Sequence, residues 1–481
     1  MSGCRERSSR GAPFLALVAL GVPFLVATGG ADEPPLAADS GEVRRDARSV
    51  GERGLDFGPF VVSGGLSQHY RFRRTDDGED QDLGGWLDLN ASRDVDRDSA
   101  GFEPYRRIAF DLHASYDLDV DSFERARNVS RPAAVPFLDA TDTFGDRLLA
   151  FVHSAYVEVE GLAFLERVRV GRQSIHREES LFFDGAFVET APWEGLSFEL
   201  WGGAPVRFWE SSSSGDALLG SGLAWQPIRR LRLGAEWYFA RDARADGPDT
   251  DDHVWRAYGR WSPGAEWSFG ASASWVGDSE RRQVIDARWI SEAIGLLASA
   301  RLLRQGSIVS FQSDEISPYL LIEGEYAPYW QVEIDLDQPL GEHFSAGTGV
   351  QARELEDADD EGIFNRSFRS AYLQCGVREI WSGMDASLRG DAWEADGEDI
   401  QSVGFEVSQD VAGVARVRAG TSFSLWRIDP FTGTERERER VYWLRARWRL
   451  GARVDLDTDY RYERDSNDEY HTVMAGLRIW F

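Results

Sequence analysis

Arginine and aspartate recur at every second position near the end of the chain, in a pattern suited to attracting and guiding ions. Segment 445–449 has an arginine at each odd position, and segment 455–459 has an aspartate at each odd position. Side chains two residues apart on a strand lie on one face, so each segment forms a row of like charge. Fixed charges in a narrow, water-filled passage act strongly on ions and polar solutes. The two rows consist of Arg445, Arg447, Arg449, Asp455, Asp457 and Asp459.

Two arginine pairs elsewhere share this spacing. Arg416 and Arg418 have few acidic residues alongside, which favours a functional role, and Arg167 and Arg169 lie far away in the chain. We predict that these arginines and the two rows line an inner wall with segregated charge. An alternative stays open for the hairpin 445–459, in which the two rows only neutralise each other at roughly a few tenths of a kcal/mol per cross-strand pair.

The arrangements of residues that mark hydrolases do not occur in the sequence. The 7 histidines are scattered singly, and His153 and Ser154 are neighbours that would face opposite sides of a strand, which excludes a simple nucleophile and base pair. No H-E-x-x-H motif, nucleophile elbow or phosphate loop is present. The acidic segments 76–77, 357–361 and 394–399 are interpreted as solvated external loops, with divalent-cation binding between lipopolysaccharide molecules or at calcium sites as the alternative. No twelve-residue calcium-loop pattern occurs. We therefore predict neither an enzyme nor a bound cofactor or metal.

Composition narrows the class of protein. The formal net charge is −29 at pH 7 and arginine is the only strong cation, since lysine does not occur. This charge argues against a nucleic-acid partner, which would need basic surface. The 18 tryptophans and 48 glycines favour β-structure with tight turns.

The N-terminus has the organisation of an export signal. Several arginines precede an apolar run at 12–27, and small residues follow it, which predicts a signal peptide over residues 1–31. The run is shorter than the roughly 20 residues that a membrane helix needs. Residues 32–56 are polar and rich in proline and alanine, so we predict a flexible periplasmic segment. Cys375 is the only cysteine that remains after cleavage, which excludes a disulfide framework.

From residue 57 to residue 481 the chain repeats one unit, a stretch of some ten alternating residues followed by a break. A soluble β-sandwich also alternates. Here, however, short breaks such as 161–163 alternate with long acidic ones such as 121–146 and 354–365, as they do in membrane barrels. We predict a single closed antiparallel transmembrane β-barrel, all-β, with an even number of about 18 to 22 strands. A barrel of about 16 strands or more can hold an aqueous lumen.

The last strand carries the sharpest indication of this fold. Val473, Ala475, Leu477, Ile479 and Phe481 share one face, and the chain stops on an aromatic residue. This ending resembles the C-terminal signature that outer-membrane barrels present to their assembly machinery, so Phe481 is predicted to contact that machinery. A last strand that pairs with the first would leave no open edge.

Tryptophans are predicted to form the aromatic girdles of the two membrane interfaces. Trp443 is an exception, because its parity places it on the inner face, where it is a candidate contact for a solute. The predicted girdle residues are Trp255, Trp261, Trp267, Trp275, Trp289 and Trp330.

One segment resembles a known family. Residues 155–160, the sequence V-G-R-Q at 170–173 and the sequence F-D-G at 183–185 resemble the alginate-export family of outer-membrane barrels. The resemblance implies a barrel of about 18 strands that exports an anionic polysaccharide through an arginine-rich constriction. The stretch 178–182 departs from the family, whose members carry arginine and tryptophan there. The motif residues are Gly171, Arg172, Gln173, Phe183, Asp184 and Gly185.

Two structural interpretations of these motif residues remain open. Gly171 permits either a β-bulge or a close approach of backbones, and Arg172 with Gln173 can reach Asp184 or loop carbonyls. Strict alternation would direct Arg172 outward, whereas a bulge would turn it inward.

Together these features predict an outer-membrane channel of a Gram-negative-type cell for polar or anionic solutes, with saccharide or polysaccharide export as its narrower form. Its expected surroundings are lipid and lipopolysaccharide. Two alternatives stay open: a structural sleeve around a partner of a secretion or electron-transfer complex, and a surface receptor or adhesin. The loop 121–146 is the best candidate for a segment that plugs the lumen.

Overall fold

The computed structural model describes most of the chain after residue 54. The predicted signal peptide and most of the predicted periplasmic segment, as well as the plug candidate 121–146, lie outside the described residues. The described ranges are 55–57, 59–75, 79–95, 105–120, 148–176, 180–206, 215–242, 250–306, 327–360, 366–395, 398–428, 435–465 and 469–481.

The described chain folds almost entirely into antiparallel strands. Apart from the 3-10 turn Ala358–Asp360, the described ranges contain no helix, and none of their residues form a helix that could cross a membrane. The strands are β1 (Leu55–Phe57), β2 (Phe60–Arg74), β3 (Glu79–Asp94), β4 (Arg107–Asp119), β5 (Leu148–Leu162), β6 (Leu165–His176), β7 (Ser180–Thr190), β8 (Leu196–Pro205), β9 (Ala217–Ile228), β10 (Leu231–Asp242), β11 (Thr250–Trp261), β12 (Trp267–Val276), β13 (Ser279–Ser291), β14 (Leu296–Gln305), β15 (Tyr329–Leu340), β16 (Phe344–Leu355), β17 (Phe368–Val377), β18 (Met384–Ala395), β19 (Glu398–Val411), β20 (Ala415–Ile428), β21 (Glu435–Gly451), β22 (Val454–Arg464) and β23 (Glu469–Trp480).

The sheet closes on itself. Each strand from β2 to β23 pairs with its neighbour in the chain, and β23 also pairs with β2, which gives a closed barrel of 22 strands. The predicted fold class and even strand number are therefore confirmed. Closure removes the two exposed edges that an open sheet would present.

The seam between the last and first barrel strands continues to the final residue. The Gly64 amide donates to the Phe481 carbonyl at 2.9 Å, and the Phe481 amide donates to the Gly64 carbonyl at 3.1 Å. Beyond this point the short strand β1 pairs with Phe60–Val62 and covers the end of β2 that β23 does not reach. The chain ending is thus part of the sheet.

Alternation gives the barrel two different faces. Leu444 lies opposite Tyr460 and Arg445 lies opposite Asp459 on the neighbouring strands β21 and β22. Opposite residues share a face, so the apolar set points outward and the charged set points into the lumen. The wall is one residue thick, and the hairpin β21–β22 has the arrangement that its sequence predicts.

The two ends of the barrel differ in the length of their connections. The end that holds Phe481, here called the turn end, joins most of its strands through a few residues, such as 163–164 and 452–453. The opposite end, here called the loop end, has the longer connections, including 120–147 and 306–328.

Aromatic residues form two rows on the outer face. Trp255 and Trp261 are 52% and 49% exposed and lie towards the loop end and at the turn end of the same strand. Trp267 stacks on Trp289 with ring centroids 5.7 Å apart. Between these rows the outer face is apolar, with exposed residues such as Leu302. The predicted girdle tryptophans all lie on this outer face.

Candidate functional site

Four arginines meet on the lumenal face of β20 and β21. Arg416 lies directly opposite Arg447, and Arg418 lies directly opposite Arg445. We call this group the arginine quartet. Like charges directly opposite on neighbouring strands destabilise a sheet, and nothing in strand formation requires them. The quartet is therefore the first place on the wall to look for a functional role.

Two members of the quartet have partners on β22. Arg445 Nε donates to Asp459 Oδ2 at 2.5 Å, and Arg447 Nε donates to Asp457 Oδ1 at 2.8 Å. Their side chains remain 50% and 39% exposed, respectively. These guanidinium groups are thus paired and still accessible from the lumen, which combines the two interpretations that the sequence leaves open for this hairpin.

The other two members differ from each other. Arg416 has more acidic surroundings than the sequence suggests, because its Nε lies 3.6 Å from Asp410 Oδ1 and its Nη2 lies 3.9 Å from Asp385 Oδ2. Arg418 lies opposite Ser408 and Arg445, and within the described part of the chain it forms no ion pair. Arg418 therefore carries the least compensated positive charge of the quartet.

Positive charge dominates this part of the wall. On β20 to β23, in the half of each strand nearer the turn end, the lumenal arginines outnumber the lumenal carboxylates. Arg449 lies opposite Asp455, and Arg478 reaches Asp457 at 2.9 Å from the other side. The arginines are Arg416, Arg418, Arg445, Arg447, Arg449 and Arg478, and the carboxylates are Asp455, Asp457 and Asp459.

Trp443 adjoins the quartet on the lumenal face, as its parity predicts. Its ring covers Gly420, and the Arg445 guanidinium carbon lies 5.3 Å from the ring centroid. A planar aromatic surface next to guanidinium groups can contact the apolar face of a solute while the arginines contact its charge.

Arg167 and Arg169 are also lumenal but belong to another part of the wall. Arg169 Nε donates to Glu158 at 2.5 Å, and its guanidinium lies 5.1 Å from the centroid of the Tyr156 ring. Arg167 lies 3.5 Å from Glu189. The structure does not bring these two arginines together with the quartet, because β6 and β20 are separated by many strands.

The motif residues of the family resemblance form a clamp on the outer face. Arg172 donates twice to the Asp184 carboxylate, each time at 2.8 Å, and once to the Val152 carbonyl at 3.2 Å. The pairing of β5 with β6 has no register shift at Gly171, so no bulge turns Arg172 inward. Arg172 and Asp184 therefore point outward and do not line the lumen.

The remaining motif residues point inward. Gln173 and Phe183 are fully buried, and the Gln173 amide donates to the Gly185 carbonyl at 3.2 Å. Gly171 and Gly185 lie opposite each other, and Gly171 has a φ of 128°. A Cβ at Gly171 would lie 2.3 Å from the Ala155 carbonyl oxygen. Gly171 therefore allows the backbones of β5 and β6 to approach closely.

Replacing Gly171 with alanine is expected to destabilise the barrel by about 1–3 kcal/mol, because the new Cβ overlaps a backbone oxygen at a φ that L-residues rarely adopt. The urea midpoint of unfolding, followed by tryptophan fluorescence, measures this effect. Gly451→Ala is the matched control, since a Cβ at Gly451 has no atom within 4 Å. Equal midpoints for the two variants would contradict the role assigned to Gly171.

A β-bulge on β5 overturns one argument from the sequence. The register shift between His113 and Ala114 brings His153 and Ser154 to the same lumenal face, where strict alternation would separate them. His153 Nε2 lies 2.7 Å from Ser115 Oγ, and its ring centroid lies 5.0 Å from that of His113.

This histidine group is a lumenal feature that alternation alone does not reveal. The His113 ring also contacts the Asp88 carboxylate, and Ser154 Oγ donates to Asp111 Oδ1 at 2.9 Å. Imidazole and hydroxyl groups at these distances can exchange protons and bind polar solutes. In the described residues no group of histidine, cysteine and acidic side chains is arranged to hold a metal ion.

A different arc of the lumenal face is apolar. Phe187 lies opposite Arg169 and Trp201 lies opposite Phe187, so all three point inward. Phe183 and Trp201 are only 0% and 1% exposed, respectively. These side chains are buried, in contrast to the exposed side chains of Arg445 and Arg447. The arc consists of Ile175, Phe183, Phe187, Trp201, Leu218, Tyr238, Val254 and Val276.

The two faces define the class of protein. A closed antiparallel barrel with an apolar outer face between two aromatic rows and a charged inner face is a transmembrane β-barrel. Barrels of this type span outer membranes, so the chain is an outer-membrane protein. In such barrels the short turns face the periplasm and the longer connections face the outside.

Solved structures of pores are similar to the chain in fold. The translocation pore of the P pilus usher PapC is similar at a TM-score of 0.46 and 8% identity, over 87% of this chain and 99% of that one. OccAB4 of Acinetobacter baumannii is similar at 0.44 and 9%, over 88% and 98%. OccD3 (OpdP) of Pseudomonas aeruginosa is similar at 0.38 and 10%, over 89% and 93%. No protein-family model and no curated protein match the chain.

Proposed function

We propose that the protein is an outer-membrane channel that passes polar or anionic solutes along an arginine-lined lumen. The observation that carries this proposal is the arginine quartet, in which opposed guanidinium groups stay accessible at the cost of like-charge repulsion. Asp410, Asp457 and Asp459 already lie opposite three of these arginines on the flanking strands, so holding the barrel together does not require a second arginine opposite each of them.

The fixed positive charge would lower the barrier for anions. A charge about 4 Å from a passing ion contributes about 1 kcal/mol in a water-like dielectric, and more where low-dielectric walls confine the water. The neighbouring carboxylates Asp457 and Asp459 hold the arginine side chains against the wall and reduce their net charge. The expected result is a moderate preference for anions.

The narrower form of the proposal is the export of an anionic saccharide or polysaccharide. The resemblance of segment 155–186 to the alginate-export family supports it, and so does the position of Trp443 next to Arg445. Sugar rings present an apolar face and a polar rim, and uronic acids add a carboxylate that arginine binds.

Two partners belong to the same proposal. Lipid and lipopolysaccharide would surround the outer face, and the assembly machinery would bind the last strand through Phe481 before the seam closes. The Phe481 backbone pairs with Gly64 of β2, so it can bind another protein until β2 arrives.

Conductance tests the channel. Purified full-length mature protein is expected to produce discrete current steps in planar bilayers. In a salt gradient the reversal potential is expected to shift towards the equilibrium potential of the anion. A sample unfolded by heat serves as the control. A folded sample that inserts and conducts nothing would overturn the proposal.

A matched pair of saccharides tests the narrower form. A short oligouronate is expected to block the current at lower concentration than a neutral oligosaccharide of the same length, because the quartet binds carboxylates. Equal block by the two saccharides would exclude an acidic saccharide as the preferred solute and would leave the channel itself unaffected.

A further inference from the structure

Large apolar side chains are exposed at the turn end around the barrel. Each turn-end connection from β5–β6 to β21–β22 carries at least one of them, either in the turn or within two residues of it. We call this set the apolar turn ring. It consists of Phe164, Trp193, Ile228, Trp261, Trp267, Ile294, Leu340, Phe344, Ile380, Trp381, Val411, Val414 and Leu450.

The exposure of these side chains is high. Phe164, Trp193 and Trp381 are 74%, 72% and 69% exposed, which exceeds the values of the girdle tryptophans on the strands. Other turn residues at this end of the barrel, such as Glu342 and Ser382, are polar. Tight turns in water favour polar residues and glycine, so turn formation does not account for the apolar tips.

The distribution of the apolar turn ring indicates what covers it. Successive turns are about 10 Å apart, two strand spacings, and the apolar tips recur along the whole series from β5 to β22. A partner protein that docks on one side would need a local patch and not a nearly complete ring. A bilayer, in contrast, surrounds a barrel on all sides.

The ring is also continuous with the established lipid surface. Trp261 and Trp267 belong both to the ring and to the turn-end girdle, and Trp267 stacks on Trp289 of the outer face. Leu340 and Phe344 lie opposite each other in the register that leads down the outer face of β15 and β16. Apolar side chains therefore continue from the outer face of the strands into the turns.

We propose that the apolar turn ring is embedded in the inner leaflet of the outer membrane, so that the turns anchor the barrel in phospholipid and do not project into the periplasm. Amphipathic segments bury apolar side chains at the boundary between headgroups and acyl chains, and aromatic tips suit this region. In this arrangement the turns, as well as the aromatic girdles, fix the position of the barrel in the membrane.

Spin labels at single cysteines test this placement. The background carries Cys4→Ser and Cys375→Ser, and the labelled positions are Trp193→Cys and Trp381→Cys. Asp359→Cys, in the loop-end connection between β16 and β17, is the water-exposed control, and Leu388→Cys on the lipid-facing strand β18 is the reference for burial in lipid. Purified protein is reconstituted in phosphatidylethanolamine and phosphatidylglycerol vesicles, with the nickel reagent on both sides of the membrane.

The ratio of oxygen accessibility to nickel accessibility is expected to be several-fold higher at 193 and 381 than at 359, and close to the value at 388. A ratio at 193 and 381 equal to that at 359 would overturn the proposal, because it would place the turns in water. Two labelled positions are used so that the result does not depend on a local distortion in one variant. Heat-shifted migration in gels checks that each variant is folded.

Discussion

Gly64→Val is expected to prevent closure of the barrel, because a Cβ at this position would lie 2.2 Å from the Asp88 carbonyl oxygen and 3.0 Å from the Phe481 ring. The backbone of β3 cannot move away without breaking its pairing with β2. The cost is therefore expected to exceed the about 1–3 kcal/mol typical of overpacked cores. Folded barrels migrate faster than unfolded ones in gels without heating, and this variant should lack the fast form.

The control for this prediction is Gly264→Val in the turn between β11 and β12, where a Cβ has no atom within 4 Å. Deletion of Phe481 is a second variant, because it removes the two backbone hydrogen bonds between Gly64 and Phe481, at the end of the seam, without adding a side chain. A Gly64→Val protein with the urea midpoint of the parent would show that the seam contributes little to folding.

The seam is also the feature that the sequence predicts most directly. The last strand alternates like the others, and its pairing with the first barrel strand satisfies the backbone groups along its edge. The pairing of β21 with β22 can also be predicted from the sequence, because charged and apolar residues alternate there without interruption. Arg445 meets Asp459 in the register that this alternation requires.

Alternation fails where both faces of a strand are apolar. In β7, Phe182 and Phe183 are neighbours on opposite faces, and composition gives no sign of which one points into the lumen. The apolar arc around Phe183 and Trp201 could therefore not be predicted. A strand between two apolar environments has no period of two that distinguishes its faces.

Alternation also fails at a bulge. One extra residue on β5 turns His153 and Ser154 to the same side, and this extra residue leaves no mark in the sequence because the flanking residues still alternate. The bulge brings His153 to Ser115 and next to His113, which lie on another strand. Cross-strand neighbours depend on register, and register over many strands cannot be derived from one sequence.

Arg172 illustrates a further limit. Its sequence context permits a bulge or a close backbone approach at Gly171, and only the register decides between them. The chosen arrangement places the guanidinium outside the lumen, bound to Asp184. An arginine in a family motif is therefore no evidence for an arginine in the passage, and the proposed selectivity depends on the quartet.

Replacing both Arg416 and Arg418 with serine is expected to reduce the preference of the channel for anions. Each removed charge contributed about 1 kcal/mol to a nearby anion, which corresponds to a factor on the order of 5 in relative permeability. The measurement is the reversal potential in a potassium chloride gradient at low ionic strength, where the screening length is about 10 Å or more. Total conductance is expected to change less than selectivity.

Two control variants separate charge from structure. Arg416→Lys with Arg418→Lys keeps both charges and should keep the reversal potential of the parent. Arg369→Ser removes an arginine from the outer face, where it lies opposite Ala352 and Glu394, and should also leave selectivity unchanged. A shift in either control would mean that the serine variant acts through a distorted wall.

Asp459→Asn decides whether the paired arginines matter as well. If the Arg445–Asp459 pair only holds the hairpin together, loss of the carboxylate alters stability and leaves selectivity unchanged. If Arg445 acts on solutes, removing its partner unmasks positive charge and the preference for anions rises. In that case the anion preference falls when the arginines are removed and rises when the aspartate is removed. A wall with a purely structural role would not show these opposite changes. A reversal potential that stays constant in both variants would place the selective region elsewhere along the lumen.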